Sequence, residues 1–227
     1  MIHHHNAFNR FYVDYLGETV QYSPDHAPRS RVKHVKNWEN QMGERYLQDA
    51  KPLEFDRLFM WSDQHFGHRK IIGYSDRPFD DVDQMDEQFV QANNDTVTDD
   101  DMVIWGGDVG WGSTTAINEM LARCKGYKIL VIGNHDFAKR NLRGLNFDEI
   151  HLTYAFERND INYLVTHYPI EGSLPPGIDI NIHGHTHNAV NKYAHCVSMC
   201  VEYTDYAPQA FNVFEQQSRS RLLEIAG

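Results

Sequence analysis

Five short segments carry side chains able to hold a cation or move a proton. They are Ser62-Asp63-Gln64-His65, Gly107-Asp108, Gly133-Asn134-His135-Asp136, His167 and Gly184-His185-Thr186-His187. Aspartate and imidazole together suit first-row divalent metals, and a carboxylate can bridge two of them. Singly, each segment is weak. An Asp-x-His is commonly a turn, Gly-Asn-His-Asp holds three turn-favouring residues, and His167 before Tyr168-Pro169 could be an ordinary strand-end histidine. Position gives them weight together. Each follows directly on a segment that reads as a strand, and in open α/β sheets ligands bind beyond the carboxyl ends of strands.

The strands are legible as short apolar runs at 58–61, 102–105 and 128–132, with further runs at 163–166, 178–182 and 197–203. Between them, Val82, Met85, Phe89 and Val97 form a helical stripe, and Ser113 is a natural N-cap for a helix carrying Ala116, Ile117, Met120 and Leu121. A last helix with a loose apolar face is expected over 209–226. Strands that alternate with helices early and crowd together late predict an α/β sandwich of two sheets with flanking helices. This domain is expected over 56–227. Residues 1–55 read as an extension packed on it: an aromatic hairpin about Gly17-Glu18, a proline-containing loop with Arg29, Arg31, Lys33 and Lys36, and a helix carrying Trp38, Met42, Tyr46 and Leu47.

Composition narrows the class. A chain of 227 residues can bury a core without disulfide or metal staples, and 41% hydrophobic residues exclude general disorder. No apolar run of about 18 residues predicts a membrane span, and the start MIHHHNAFNRF has no secretory pattern. Three cysteines cannot all pair, which fits a reducing cytoplasm. Cys196 and Cys200 are expected on one strand face as packed thiols. A net charge of −11 argues against a nucleic-acid coat, which needs Lys and Arg against phosphates, but leaves room for a local cationic site.

The ordered set Asp63-x-His65, Gly107-Asp108, Gly133-Asn134-His135-Asp136, His167 and Gly184-His185-x-His187 resembles the calcineurin-like metallophosphoesterase superfamily. Ser62-Asp63-Gln64-His65-Phe66-Gly67-His68, with Ile71-Ile72 and Arg77-Pro78-Phe79, looks like its compact bacterial and phage branch. The resemblance implies a four-layer α/β/β/α sandwich of mixed sheets with two metals between the sheets. It implies one metal at Asp63, His65 and His187, a second at Asn134, His167 and His185, and Asp108 bridging them. His135 would lie beside the metals, facing substrate. Two divalent ions, less two aspartates and a bridging hydroxide, leave a positive centre that draws in phosphate. Mn²⁺, Fe²⁺, Zn²⁺ and Ni²⁺ all suit the donors, which do not choose among them; Mn²⁺ is favoured by a small margin.

The activity so implied is hydrolysis of a phosphomonoester or phosphodiester, a nucleotide or similar small molecule, by in-line attack of the bridging hydroxide. His135 would protonate the leaving oxygen. The Gly107-Asp108 motif continues Val109-Gly110-Trp111, without the Asp-Arg-Gly of the serine/threonine phosphatase branch, which speaks against protein phosphatase activity. Asp136 is a candidate to orient His135 in place of the missing aspartate, or a plain turn or cap residue. His68, Arg69 and Arg77 are candidates to contact phosphate from the rim. Two other functions fit the same motifs: a nuclease or nucleic-acid end phosphatase, which needs a basic track such as Arg29–Lys36, and a scaffold that keeps the fold without catalysis.

Overall fold

The computed structural model describes residues 53–139 and 144–226. The hairpin, basic loop and helix expected within residues 1–55 lie outside the described residues, apart from the last three positions.

Two mixed sheets make the frame. In the first, β1 (Leu58–Trp61), β2 (Met102–Trp105), β3 (Tyr127–Val131) and β4 (Glu149–His151) run parallel, and β9 (Gln209–Ala210) joins the outer edge of β1 antiparallel. In the second, β6 (Ile161–Thr166), β7 (Ile180–His183) and β8 (Cys196–Ser198) run parallel, with β5 (Tyr154–Arg158) antiparallel on β6. The run Met102-Val103-Ile104-Trp105 is buried throughout, because a central parallel strand is covered on both faces. Its alternation divides the labour. Leu58, Met60, Met102, Ile104, Ile129 and Val131 meet Tyr163, Val165, Ile180 and Ile182 of the second sheet in one apolar core, while Trp61 turns the other way, edge-on to Phe89.

Phe89 belongs to the helix Val82–Thr96, which buries Met85, Phe89 and Val90 and is capped by Asp81, whose carboxylate accepts from the Gln84 N–H at 2.8 Å. The helix Thr114–Arg123 starts at Ser113 as the sequence predicts, the serine hydroxyl accepting from Ala116 N–H. The C-terminal helix Phe211–Ala226 puts Phe211 and Phe214 into the inter-sheet core. The expected class, two mixed sheets flanked by helices, is the observed one. One strand is shorter than expected. The run 197–203 leaves the sheet after Ser198, so Cys200 is not on one strand with Cys196; it makes an isolated parallel bridge to Ser62 just before a turn. Both thiols are buried and free. No helix among the described residues is long and apolar enough to cross a membrane.

Candidate metal centre

All five chemistry-bearing loops leave the carboxyl ends of parallel strands: β1, β2 and β3 of one sheet, β6 and β7 of the other. They meet. Asp63, His65 and His187 each bring a ligand atom within 4.8 Å of the others, and so do Asp108, His167 and His185. Asp108 Oδ2 stands 3.7 Å from His65 Nε2 in the first group and 3.4 Å from His167 Nε2 in the second. One carboxylate oxygen therefore faces both groups. Asn134 Oδ1 lies 3.0 Å from His167 Nε2, beside the second group.

The backbone is bent to achieve this. Asp63, His65, Asp108, His185 and His187 have φ of 64°, 56°, 52°, 68° and 47°, in the left-handed region that costs a non-glycine residue roughly 1–3 kcal/mol. Aspartate tolerates it better than most residues. Cross-loop bonds hold the bends: Asp63 N–H donates to Gly107 O at 3.0 Å, His65 N–H to Asp108 O at 3.0 Å, and His185 N–H to Asp63 Oδ2 at 2.9 Å. Gly107, at φ 96°, has no room for a side chain, since a Cβ would strike the Gly133 backbone and come within 2.8 Å of His167 Nδ1.

Inside the pocket two ligand atoms of the first group are left over. Asp63 Oδ2 accepts from His185 N–H, from the Ser62 hydroxyl and from the Cys200 thiol at 3.4 Å, whereas Asp63 Oδ1 is buried with no hydrogen-bond partner. His65 Nε2 is likewise buried and unpartnered. Leaving such atoms unpaired costs about 1–3 kcal/mol each, a cost that a cation between them removes. The ring tautomers agree. His167 Nδ1 faces Gly106 O at 2.8 Å, which can only accept, so a hydrogen sits on Nδ1 and it is Nε2 that would present a lone pair inward once the ring is neutral. The residues present fit a metal.

Electrostatics follow from crowding. Burial, with the neighbouring Asp108 charge adding to it, raises the Asp63 carboxyl against the pull of His167 and His187. Burial would raise Asp108 too, but its hydrogen bond and ion pair with His167 hold it well below the usual carboxylate range. His167 answers: burial alone would depress it, yet Asp108 lifts it to about 9. Burial, then the charge on His167, lowers His185 to about 4. A cation entering the second group therefore displaces a proton from His167, as metal binding to histidine generally must.

The remaining expected residues take varied places. His135 stands beside Asp108: its side chain is 35% exposed with Nε2 3.9 Å from Asp108 Oδ2, and its backbone N–H donates to Asp108 Oδ1 at 2.7 Å. Asp136 is buried, and its carboxylate accepts from the backbone N–H groups of Asp108, Val109 and Gly133. It ties the loop after β2 to the loop after β3. His68 lines a cleft of about 530 Å³ with His65, His135, Trp111, Lys70 and Tyr74, and its ring stacks on Trp111 at 4.5 Å. Arg69 is exposed, and Lys70 beside it faces the cleft. Arg77, expected on the rim, is instead fully buried, bound to Glu202 and to the carbonyls of Asp63 and Gln64. Glu202, Cys200 and Trp111 were not among the residues expected from sequence. None stands in a recognisable motif: Cys200 and Glu202 come from the segment between β8 and β9, and Trp111 from the loop after β2.

Comparison with known proteins gives sparse results. No family model matches the chain. An uncharacterized protein of Methanocaldococcus jannaschii, MJ1445, is 28% identical over 171 residues, covering 71% of this chain and 90% of its own. The crystal structure of AQ665, a protein of unknown function from Aquifex aeolicus, superposes with a TM-score of 0.56 at 24% identity, covering 70% of this chain and 97% of that one. This likeness is one of fold. A structure of a novel archaeal phosphodiesterase reaches a TM-score of 0.35 at 18% identity over 63% of this chain and 81% of its own, too remote to carry weight.

Proposed function

We propose that this protein is a metal-dependent phosphoesterase that hydrolyses a small phosphomonoester or phosphodiester, such as a nucleotide. The observation that carries the proposal is the convergence of two Asp/His groups from both sheets on the single carboxylate of Asp108. It supports the arrangement implied by the motif resemblance to the calcineurin-like superfamily. Asp63, His65 and His187 would hold one cation and Asn134, His167 and His185 the other, with Asp108 shared. When bound, two such cations supply an activated water and neutralise charge on a phosphoryl oxygen.

The chain's own residues do the rest. His135 faces the cleft mouth beside Asp108, placed to give a proton to the departing oxygen. With its Nε2 turned to the metal side, His65 carries its hydrogen on Nδ1 and donates it to His68 Nδ1, 3.2 Å away. His68 is thereby left with an N–H on Nε2 as a donor to the substrate side. Trp111, stacked on His68, and the 69%-exposed Tyr74 give the cleft an aromatic wall, which suits a leaving group that carries a planar ring, such as a nucleoside. Lys70 adds a cation for a further phosphate.

The test is to strip the protein of metal, reload it with Mn²⁺, and offer a nitrophenyl monoester, a bis-nitrophenyl diester and a nucleotide panel. Cleavage in at least one series, only after reloading, is expected; a fully loaded protein inert to all three would refute the proposal. His135→Ala separates the proton donor from the rest. It is expected to lower kcat by about 10²-fold or more for alkyl leaving groups and much less for nitrophenyl esters, which leave unassisted. Equal losses would remove His135 as the acid.

A further inference from the structure

A buried ion pair stands behind the first metal group. The side chains of Arg77 and Glu202 are 0% and 4% exposed. Glu202 Oε1 accepts from Arg77 Nε at 3.0 Å and Nη2 at 2.8 Å, and lies 3.1 Å from His187 Nδ1. The rest of the guanidinium reaches the first ligand loop: Nη1 donates to Gln64 O at 2.9 Å and Nη2 to Asp63 O at 2.6 Å. Phe89 covers it with its ring at 5.7 Å.

Stability does not explain such a pair. Taking an arginine and a glutamate out of water costs much of what their attraction returns, and well-packed apolar residues usually do as well. What the pair provides is placement. A carboxylate only accepts here, so it fixes the His187 hydrogen on Nδ1 and turns Nε2 towards Asp63 Oδ1, 4.0 Å away. A carboxylate partner also makes a ligating imidazole a stronger donor. On its other side, Arg77 pins the carbonyls of Asp63 and Gln64, flanking two ligands held at left-handed φ. The second group is supported differently: His167 Nδ1 rests on the neutral carbonyl of Gly106.

We propose that Arg77 and Glu202 are positioning residues that set the affinity of the Asp63–His65–His187 group alone, making the two metal positions unequal. The inference rests on the metal-binding part of the proposed function and not on its chemistry. Its test is calorimetric titration of stripped full-length protein with Mn²⁺, without substrate, for the wild type and Glu202→Gln. The glutamine keeps an acceptor and loses the charge. Two binding steps are expected for the wild type. In the variant one step should weaken by about 10–100-fold while the other stays within about twofold, and anomalous occupancy in Mn²⁺-soaked crystals should fall at the Asp63 group. Should Glu202→Gln fail to fold, the paired Arg77→Met/Glu202→Met leaves no orphaned charge and is expected to show the same one-sided loss. Unchanged steps, or equal weakening of both, would overturn the inference while leaving the proposed function standing. A wild type that binds no metal would end both.

Discussion

Replacing Asp108 by asparagine is expected to cut turnover by about 10²–10³-fold or more, the range seen when one preorganised electrostatic group is lost from an active site. The geometry makes this a clean substitution. Asparagine keeps an acceptor for the His135 N–H, now bonded to Oδ1 at 2.7 Å, and is one of the few residues at ease at φ 52°. What it loses is the anionic Oδ2 that faces His65, His167 and His135 at 3.7, 3.4 and 3.9 Å. His167, deprived of its partner, can shed its proton instead of remaining a lone buried charge, so the fold should survive. Circular dichroism and melting of the metal-free variant should match wild type, while kinetics and metal content both fall. Wild-type activity in Asp108→Asn would show that the two groups do not work through a shared carboxylate.

Metal removal has the second large effect. Dialysis against a strong chelator should reduce hydrolysis to background, and Mn²⁺, Fe²⁺, Zn²⁺ or Ni²⁺ should restore it to differing degrees, since affinity order and not this donor set ranks them. A thermal effect accompanies it, independent of substrate. A ligand bound only by the native state at a hundredfold its Kd adds about 2.7 kcal/mol, which for a domain of this size raises Tm by roughly 5–10 °C. The strained ligand loops and the unpartnered Asp63 Oδ1 and His65 Nε2 are where that energy would be gained. Activity that survives chelation, or a Tm indifferent to metal, would contradict a metal centre.

Much of this was legible because it is local. A four-residue apolar run such as Met102–Trp105, closed by Gly106-Gly107-Asp108, announces both a buried parallel strand and the ligand at its end. Ser113 likewise marks a helix start by its own chemistry. The edge strands β4 and β5 were not legible. β4 carries an inward Glu149 bonded to His151 at 2.8 Å, and β5 mixes exposed and half-buried positions, so neither shows a strand's alternation. The short helix Asn134–Lys139 begins on a candidate ligand, where a turn reads equally well. Left-handed backbone at His65, His185 and His187 is not legible from residue type: histidine enters that region more often than most residues, but the great majority of histidines lie elsewhere. Arg77 looked like a rim cation because its partner stands 125 positions away. A side-chain pair across distant loops has no local pattern, and its discovery needed the fold.

Anomalous diffraction from a Mn²⁺-soaked crystal, collected above and below the metal edge, tests the convergence most directly. Two peaks are predicted, one within reach of Asp63, His65 and His187, the other of Asn134, His167 and His185, both adjoining Asp108 Oδ2. A crevice without a peak, or an ion held by other side chains, would contradict the metal centre on which the proposed hydrolysis depends.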